Sequence, residues 1–240
     1  MPAPENRRIV MLQRLNLRNR MLISICFVAL ICFSVSIAYT ALKFSNKAKA
    51  HALELSEEMA FRYGAIVQAK LEVPMDAART LAQTFEALKR AGNPERAVMD
   101  RIQKQILERN PAFLGVWTCW EPNALDGKDK EFVNAKGHDK TGRYVPYWHR
   151  GAGNIMVEPL IGFDVPGDGD YYLIARNTGM ETILDPYLYE IEGKDILLTS
   201  LVVPIKNDNK TVGVAGIDIS LSSLIDLIAD IKPFGSGYGY

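Results

Sequence analysis

The sequence lacks the features by which several classes of protein are recognised. It has three cysteines, and two of them, Cys26 and Cys32, lie in one apolar stretch. Cys119 is therefore alone in the rest of the chain, which excludes a disulfide framework there. The 28 basic and 28 acidic residues leave no net charge. A neutral chain without a basic patch argues against a nucleic-acid-binding protein.

Motifs for catalysis and for metal binding are also missing. The sequence has no G-x-S-x-G, P-loop or kinase signature. Its histidines, His51, His138 and His149, do not have the spacing of zinc ligands. The aspartates of residues 163–170, FDVPGDGD, do not fit a twelve-residue calcium loop and favour a solvated turn. We therefore predict no enzyme activity, no cofactor and no metal.

One apolar run dominates the N-terminal part of the chain. Residues 21–42, MLISICFVALICFSVSIAYTAL, contain no charged side chain. As a helix this run measures roughly 33 Å, and a bilayer core is about 30 Å thick. It exceeds the apolar core of a cleaved signal peptide, about 7–15 residues, and residues 38–41 are a poor cleavage site. We predict an uncleaved transmembrane helix.

Charges beside this run indicate its orientation. Five arginines precede it, two of them, Arg18 and Arg20, directly adjoin it, and Glu5 alone opposes them. Positively charged flanks stay in the cytoplasm. We therefore expect a cytoplasmic N-terminus, an anchor in the inner membrane and a periplasmic or extracellular main part.

Helices are predicted for the segment that follows the anchor. Apolar residues recur at helical spacing along residues 43–92. Pro74 is expected to kink or break this long helix. Pro94 suits the first turn of a second helix that ends near Arg109.

Extended structure is predicted from residue 113 onwards. Residues 113–120, FLGVWTCW, are dense in aromatic and β-branched side chains and indicate a strand. A polar loop fills residues 122–142. Residues 143–148 then favour a short strand or an extended segment, in which Pro146 argues against a central position in a sheet.

A hairpin and two helical segments are expected in the C-terminal part. Residues 170–176 favour one or two helical turns that a glycine ends. The runs 196–205 and 211–219 flank turn-forming residues and predict a β-hairpin. Ser220 is expected to cap a final helix over residues 221–231.

These elements, in this order, resemble the double Cache (dCache) sensor region of bacterial methyl-accepting chemotaxis proteins. The segments that carry the resemblance are 183–205, ILDPYLYEIEGKDILLTSLVVPI, and 212–221, VGVAGIDISL. Residues 141–148, TGRYVPYW, and 170–179, DYYLIARNTG, support it. The resemblance implies an α+β fold with a transmembrane helix, a long membrane-proximal helix and a PAS-like Cache module with an antiparallel sheet.

The resemblance also implies how the chain is divided. The parts are a cytoplasmic N-terminus, the transmembrane helix, the long helix, a membrane-distal Cache module and the start of a second module, at 1–20, 21–42, 43–92, 93–231 and 232–240. In that family a second transmembrane helix and a cytoplasmic signalling domain follow. We therefore expect an N-terminal fragment of a receptor whose remaining part contacts cytoplasmic signalling proteins. The long helix is expected to contact a second copy in a homodimer.

Amino-acid-binding members of this family suggest where a ligand lies. They carry an arginine directly before a Pro-aromatic-aromatic triplet, which holds the ligand carboxylate, and an aspartate at the end of the last strand, which receives the ammonium. In this sequence the triplet is 146–148 and the aspartate is Asp218, but Val145 stands in place of the arginine. Arg143 lies two residues earlier, on the same side of a strand, and is a candidate substitute.

An aromatic-rich cup with one acid remains. The candidate ligand-binding residues are Tyr147, Trp148, Asp218, Tyr187, Tyr189, Tyr172 and Arg143. Aromatic faces and a carboxylate suit a small amine or quaternary ammonium, whereas an arginine clamp suits an amino acid. Two structural alternatives stay open: Trp148 and Tyr187 as core residues, and Asp218 as a helix cap.

The sequence thus predicts an extracytoplasmic small-molecule sensor, the input part of a transmembrane chemoreceptor. A sensor histidine kinase or diguanylate cyclase with the same input module is the nearest alternative. Alternatives from other classes are a membrane-anchored periplasmic enzyme and a module that contacts only another periplasmic protein.

Overall fold

The structure, a computed structural model, describes residues 16–92, 94–151 and 153–223. The chain divides into two units between Phe61 and Arg62. From Leu17 onwards, the described part of the first unit belongs to helix α1 (Leu17–Arg90). Within the described residues, α1 is the one helix that is long and apolar enough to cross a membrane. Its length and composition agree with the predicted anchor.

Helix α1 continues through Pro74. The predicted break at this proline is therefore wrong, whereas the kink, the other predicted outcome, stays a prediction. A proline inside a helix removes one hydrogen-bond donor, but Pro74 and Met75 are buried. Met75 packs with Leu201 and Ile219 of the sheet. This packing compensates for the lost backbone bond and holds the helix together.

Helix α2 (Arg96–Arg109) begins later than predicted. Pro94 lies before the helix rather than in its first turn, because Glu95 is still extended with φ −71° and ψ 116°. The predicted end of this helix, near Arg109, is confirmed.

One antiparallel sheet of seven strands forms the centre of the second unit. The strand order is β3-β2-β1-β7-β6-β4, and β5 pairs with β6. The strands are β1 (Gly115–Trp120), β2 (Pro146–His149), β3 (Met156–Pro159), β4 (Thr182–Ile183), β5 (Tyr187–Ile191), β6 (Lys194–Asn207) and β7 (Lys210–Ser220). A 3₁₀ turn (Asp129–Phe132) lies in the loop before β2, and helix α3 (Asp170–Thr178) follows β3. The predicted α+β class is confirmed.

The long hairpin of β6 and β7 is the predicted one. Asp208 and Asn209 connect the strands, and both have positive φ, 49° and 63°. A two-residue turn of this kind matches the right-handed twist of paired strands. The sequence signal for this turn was therefore local and sufficient.

Strand β2 lies inside the sheet, between β3 and β1. Pro146 is its first residue and pairs with Pro159 of β3, whereas the register with β1 begins at Tyr147. A proline at the start of a strand removes no bond from the ladder to β1. The prediction that Pro146 keeps this strand out of a central position is therefore wrong.

The two faces of the sheet pack against different elements. Val116 and Ile217 point to the face that α1 and α2 cover, which we call the α1/α2 face. Trp117 and Val214 point to the opposite face, which α3 covers and which we call the α3 face. Side chains alternate between the faces along each strand, so the register of the strands decides which residues can meet.

The C-terminal elements follow the predicted pattern as far as they are described. Gly179 ends α3 in the left-handed conformation with φ 65°. Residues 221–223 are helical, and the Ser223 backbone N–H donates to Ser220 Oγ at 3.3 Å. The rest of the predicted final helix and the predicted start of a second module at 232–240 lie outside the described residues.

Candidate functional site

A box of aromatic side chains encloses one carboxylate on the α3 face. We call it the aromatic box, and its residues are Trp117, Tyr147, Tyr171, Tyr187, Tyr189, Ser200 and Asp218. Neighbouring ring centroids lie 5.2–6.4 Å apart, and most pairs are edge-to-face. Asp218 is 3% exposed.

The register of four strands brings these side chains to one face. Asp218 of β7 is paired with Gly115 of β1 and with Ser200 of β6. Trp117 of β1 is paired with Tyr147 of β2. Residues opposite one another in paired strands point to the same face, and so do residues two apart within a strand. The acid and its neighbours therefore meet, although they are far apart in sequence.

Two glycines provide the room that the aromatic rings need. A Cβ at Gly216 would lie 2.2 Å from the Trp117 ring, and one at Gly115 would lie 2.3 Å from the Tyr147 ring. Real side chains do not approach so closely, so each ring lies directly over a glycine backbone. Trp117 can cross Gly216 and reach Asp218 for this reason.

Asp218 is held by hydrogen bonds within the sheet. Trp117 Nε1 donates to Asp218 Oδ1 at 2.8 Å, and Ser200 Oγ donates to the same oxygen at 2.6 Å. Tyr187 Oη lies 2.7 Å from Ser200 Oγ. Ser220 is the described cap of the helix that follows β7. These contacts contradict the alternative in which Asp218 caps that helix.

Burial makes Asp218 an unusual carboxylate. It raises the pKa of Asp218 to about 6, although hydrogen bonds from Ser200 and Trp117 and the nearby Tyr147 hydroxyl offset part of this rise. The Tyr147 hydroxyl is itself buried and has no partner at hydrogen-bond geometry among the described residues. Both described hydrogen bonds to Asp218 are donated to its Oδ1 atom. The box therefore contains a charge at neutral pH that no described cation compensates.

Arg143 is not in contact with Asp218 in the described structure. It forms an ion pair with Asp164 at 3.1 Å, lies 3.6 Å from Glu121 and donates to Tyr172 Oη at 2.7 Å and to the Trp120 carbonyl. Tyr172 also contacts Glu121. Arg143 and Tyr172, both predicted ligand contacts, thus belong to a separate ionic cluster that ties α3 to β1.

Trp148 lies on the other side of the sheet from the aromatic box. It packs with the α1/α2 core, and its Nε1 donates to Asp100 of α2 at 3.3 Å. Neighbouring residues of a strand point to opposite faces, so Tyr147 and Trp148 cannot both face the box. The core alternative fits Trp148, and the predicted cup is therefore assembled only in part, from Tyr147, Tyr187, Tyr189 and Asp218.

Three residues of the box were missed by sequence reasoning. Trp117, Tyr171 and Ser200 contribute an indole donor, a ring and a hydroxyl donor. The sequence placed Trp117 in a predicted strand, on the same side as Gly115 and Cys119. Whether that side also carries Asp218 depends on how β1 pairs with β7, which the sequence does not show. Val145, at the position of the missing arginine, is buried on the same face as the box.

The described residues contain no group of three or more histidine, cysteine or carboxylate side chains that could hold a metal ion. Asp164 pairs with Arg143, and Asp170 Oδ1 accepts from the Gly167 backbone N–H at 3.1 Å. The aspartate-rich segment is thus used in local structure. Cys119 is buried, which raises the pKa of its thiol.

Comparison with known proteins identifies the family. The profile of the methyl-accepting chemotaxis protein-like, first PDC sensor domain matches residues 99–226. The chain belongs to this family. This membership agrees with the resemblance drawn from the sequence. The family is one of sensor domains.

Curated relatives are longer than this chain. Over 138 residues it is 35% identical to the methyl-accepting chemotaxis protein TlpQ of Pseudomonas aeruginosa, a match that covers 52% of this chain and 19% of TlpQ. Over 70 residues it is 34% identical to the methyl-accepting chemotaxis protein PscA of Pseudomonas syringae pv. tomato, which covers 29% of this chain and 11% of PscA. The matched region thus spans about a fifth of TlpQ and about a tenth of PscA.

Solved structures share the fold. The extracellular domain of a protein described as a histidine kinase, mmHK1S-Z2, has a TM-score of 0.70 and 38% identity, covering 78% of this chain and 67% of that one. A structure named Methyl-accepting Chemotaxis protein X has a TM-score of 0.66 and 29% identity, covering 76% of this chain and 67% of that one. Receptors with different output types therefore use this sensor fold.

Proposed function

We propose that this chain is the sensing part of a transmembrane chemoreceptor and that its aromatic box binds a small organic cation of the amine class. The observation that carries the proposal is the buried Asp218 carboxylate, enclosed by aromatic faces, with Val145 at the position where an amino-acid clamp would stand. A carboxylate and aromatic faces attract an ammonium through charge pairing and cation–π interaction.

Electrostatics favour a cation over an amino acid at this site. An amino acid brings a carboxylate that needs a positive partner, and the described residues of the box provide none. Arg143 is already paired with Asp164 and bonded to Tyr172. A ligand carboxylate placed near Asp218 would add like-charge repulsion in a buried, poorly solvated site.

Helix α1 offers a route by which ligand binding at the box would be signalled to the membrane. The apolar part of α1 would anchor the chain in the inner membrane, with the sensor unit on the periplasmic side. A ligand that prefers one of two arrangements of the module shifts their populations, and α1 carries that shift towards the membrane. Two copies that pair through the long helix would transmit it to cytoplasmic signalling proteins.

A sensor histidine kinase is a second candidate for the whole protein. The observation that favours it is the 38% identity with the extracellular domain mmHK1S-Z2, described as part of a histidine kinase. Both candidates use the same input site, so the ligand chemistry proposed here is common to them. The type of signalling domain found in the same protein as this sensor separates the two candidates.

A thermal-shift screen tests the ligand class. The chain is held in nanodiscs, its unfolding is followed by tryptophan fluorescence, and amines, quaternary ammonium ions, amino acids, carboxylates and purines are added in turn. A ligand at a hundred times its dissociation constant stabilises by about 2.7 kcal/mol, which corresponds to a rise of roughly 5–10 °C. We expect hits among the amines or quaternary ammonium ions.

Two results would contradict the proposal. Hits among amino acids with none among the amines would mean that another residue holds a ligand carboxylate. No shift with any compound would favour a module that responds to a partner protein. The same screen with Asp218→Asn separates binding at the box from binding elsewhere, because only ligands of the box lose their effect.

A further inference from the structure

A cavity of about 210 Å³ opens beside the aromatic box, between β3 and the β5–β6 hairpin. Tyr147 and Tyr189, which are 2% and 8% exposed, form its inner wall. Its rim consists of the half-buried Glu158 and the exposed Glu190 and Glu192. We call these three glutamates the acidic mouth. Among the described residues that line this cavity there is no lysine or arginine.

The inner wall of the cavity is also a wall of the box. Tyr147 and Tyr189 are in edge-to-face contact with centroids 5.5 Å apart. The buried Tyr147 hydroxyl faces the Asp218 carboxylate but meets hydrogen-bond geometry with no described residue. A polar atom of this kind lacks a partner at the place where cavity and box adjoin. A bound cation with hydrogen-bonding groups would supply one.

The backbone fixes the positions of the glutamates. Glu158 of β3 is paired with Tyr147 of β2, so its side chain lies on the same face of the sheet as Tyr147, next to the inner wall. Glu192 has a positive φ of 52° in the turn between β5 and β6, a conformation that is uncommon for such a residue. Its carboxylate lies against Gly151, where a Cβ would be only 2.5 Å from Oε2. The mouth is therefore a built feature and not a set of loose surface side chains.

One neighbouring base does not neutralise the mouth. His149 Nε2 lies 3.5 Å from Glu158 Oε2. Its Nδ1 accepts from the Gly151 backbone N–H, and burial lowers the pKa of His149, so the ring is neutral at pH 7. His149 therefore does not cancel the negative charge of Glu158 at the cavity.

We propose that the acidic mouth is the entrance to the aromatic box and that its glutamates select cations over anions as they enter. The inference rests on the proposed function, because the ligand class is the same, but it concerns different residues. Clefts lined by charges of one sign concentrate ions of the opposite sign. Entry then requires the inner wall to part. Tyr189 of this wall accepts a hydrogen bond from the Ile161 backbone N–H at 3.1 Å, and Tyr171, which contacts Tyr189, donates to the Ile161 carbonyl at 2.6 Å.

Charge-selective labelling tests this entrance without a known ligand. A thiol is placed beside Asp218 by Ser200→Cys in the full chain, and its modification by two methanethiosulfonates is timed. One reagent carries a trimethylammonium group and the other a sulfonate. The thiolate attacks the reagent sulfur, forms a disulfide and releases methanesulfinate. Rates are divided by those of Gln105→Cys, an exposed position on α2.

We expect the cationic reagent to modify Ser200→Cys at least about tenfold faster than the anionic one. Glu158→Gln, Glu190→Gln and Glu192→Gln together should remove most of this preference. The matched control Glu108→Gln, an exposed glutamate of α2, should leave it unchanged. The parent chain reports any background from its own cysteines.

Three results would overturn the proposal. The preference could survive the triple substitution, the two reagents could react equally, or neither could reach the thiol. Ile161→Cys, at a half-exposed position of the cavity, guards against a misfolded Ser200→Cys chain: its preference must also depend on the glutamates. Amine stabilisation that persists beside a negative labelling result would reject the entrance and keep the proposed function.

Discussion

Trp117 of β1 contacts Asp218 of the neighbouring strand β7 diagonally, with its Nε1 2.8 Å from Asp218 Oδ1. Its direct partner in β7 is Gly216, two residues before the acid. The indole therefore lies over Gly216 and binds the next side chain on the same face. This hydrogen bond couples the buried acid of the box to the packing of β1.

Asp218→Asn should separate ligand binding from stability. We expect the affinity for the amine found in the screen to fall more than tenfold, because the charge partner is lost. The midpoint of thermal unfolding without ligand should stay unchanged or rise, because an asparagine oxygen still accepts from Trp117 and Ser200 and carries no buried charge. Calorimetric titration and thermal unfolding provide the two readouts.

An exposed aspartate of β6, Asp195, provides the matched control. Asp195→Asn should leave both affinity and unfolding midpoint unchanged. A large loss of stability in Asp218→Asn without ligand would instead assign Asp218 a structural role.

The stability of the ligand-free chain should depend on the protonation of Asp218. Its pKa is raised from 3.8 to about 6 in the folded state, so between these values the folded state binds more protons than the unfolded state. Its contribution to stability is present below pH 4 and is lost as the pH rises through 6. The loss amounts to roughly 3 kcal/mol.

Histidines act in the opposite direction over part of this range. Burial lowers the pKa values of His138 and His149, so their contribution is lost as the pH falls below 6.5. The measurement is therefore the difference in unfolding free energy between the parent chain and Asp218→Asn from pH 4.5 to 7.5. A difference that does not change with pH would show that Asp218 is not perturbed.

Gly216→Ala and Gly64→Ala should have opposite effects on stability. An alanine Cβ at Gly216 would meet the Trp117 ring at 2.2 Å, which we expect to cost about 1–3 kcal/mol. Gly64 lies in α1 with open space around it, and alanine there should stabilise by up to about 1 kcal/mol. Chemical denaturation measures both. Equal effects would mean that Trp117 can move away from Gly216 freely.

Tyr147→Phe and Trp148→Phe should separate the two faces of the sheet. Trp148→Phe removes the bond to Asp100 and should lower stability by about 1 kcal/mol without changing affinity for the amine. Tyr147→Phe removes a hydroxyl that faces Asp218 and should change that affinity severalfold. Titration of both variants is the measurement, and weakened binding by Trp148→Phe would return this residue to the site.

Arg143→Met should act on stability and not on ligand choice. The substitution breaks the contacts with Asp164 and Tyr172. Because Asp164 is largely exposed, we expect a modest loss of about 1–3 kcal/mol. The ratio of amine to amino-acid affinity should remain unchanged. A change in that ratio would identify Arg143 as a ligand contact after all.

Local signals predicted most of the elements. The turn at Asp208 and Asn209, the end of α3 at Gly179 and the strand that became β1 each follow from short stretches of sequence. The break at Pro74 was predicted by the same local logic and is wrong, because the packing of Met75 against the sheet compensates for a lost hydrogen bond. Tertiary contacts override local preference in that case.

The sequence predicted only some residues of the candidate site, because the pairing of the strands decides which side chains share a face. Asp218, Tyr147, Tyr187 and Tyr189 came together as expected, whereas Trp148 faces the opposite side. The sequence shows that neighbouring residues of a strand point to opposite faces of the sheet. It does not show which of the two faces α3 and which faces α1 and α2.

The sequence by itself determined the apolar anchor segment, the α+β order of elements and the absence of a clamp at Val145, because each depends on residue type and local spacing. The tertiary structure alone decided that Trp117, Ser200 and Asp218 meet and that Arg143 is engaged elsewhere. These contacts join residues about a hundred positions apart or in different strands. They depend on strand register, and register is set by the packing of the whole sheet.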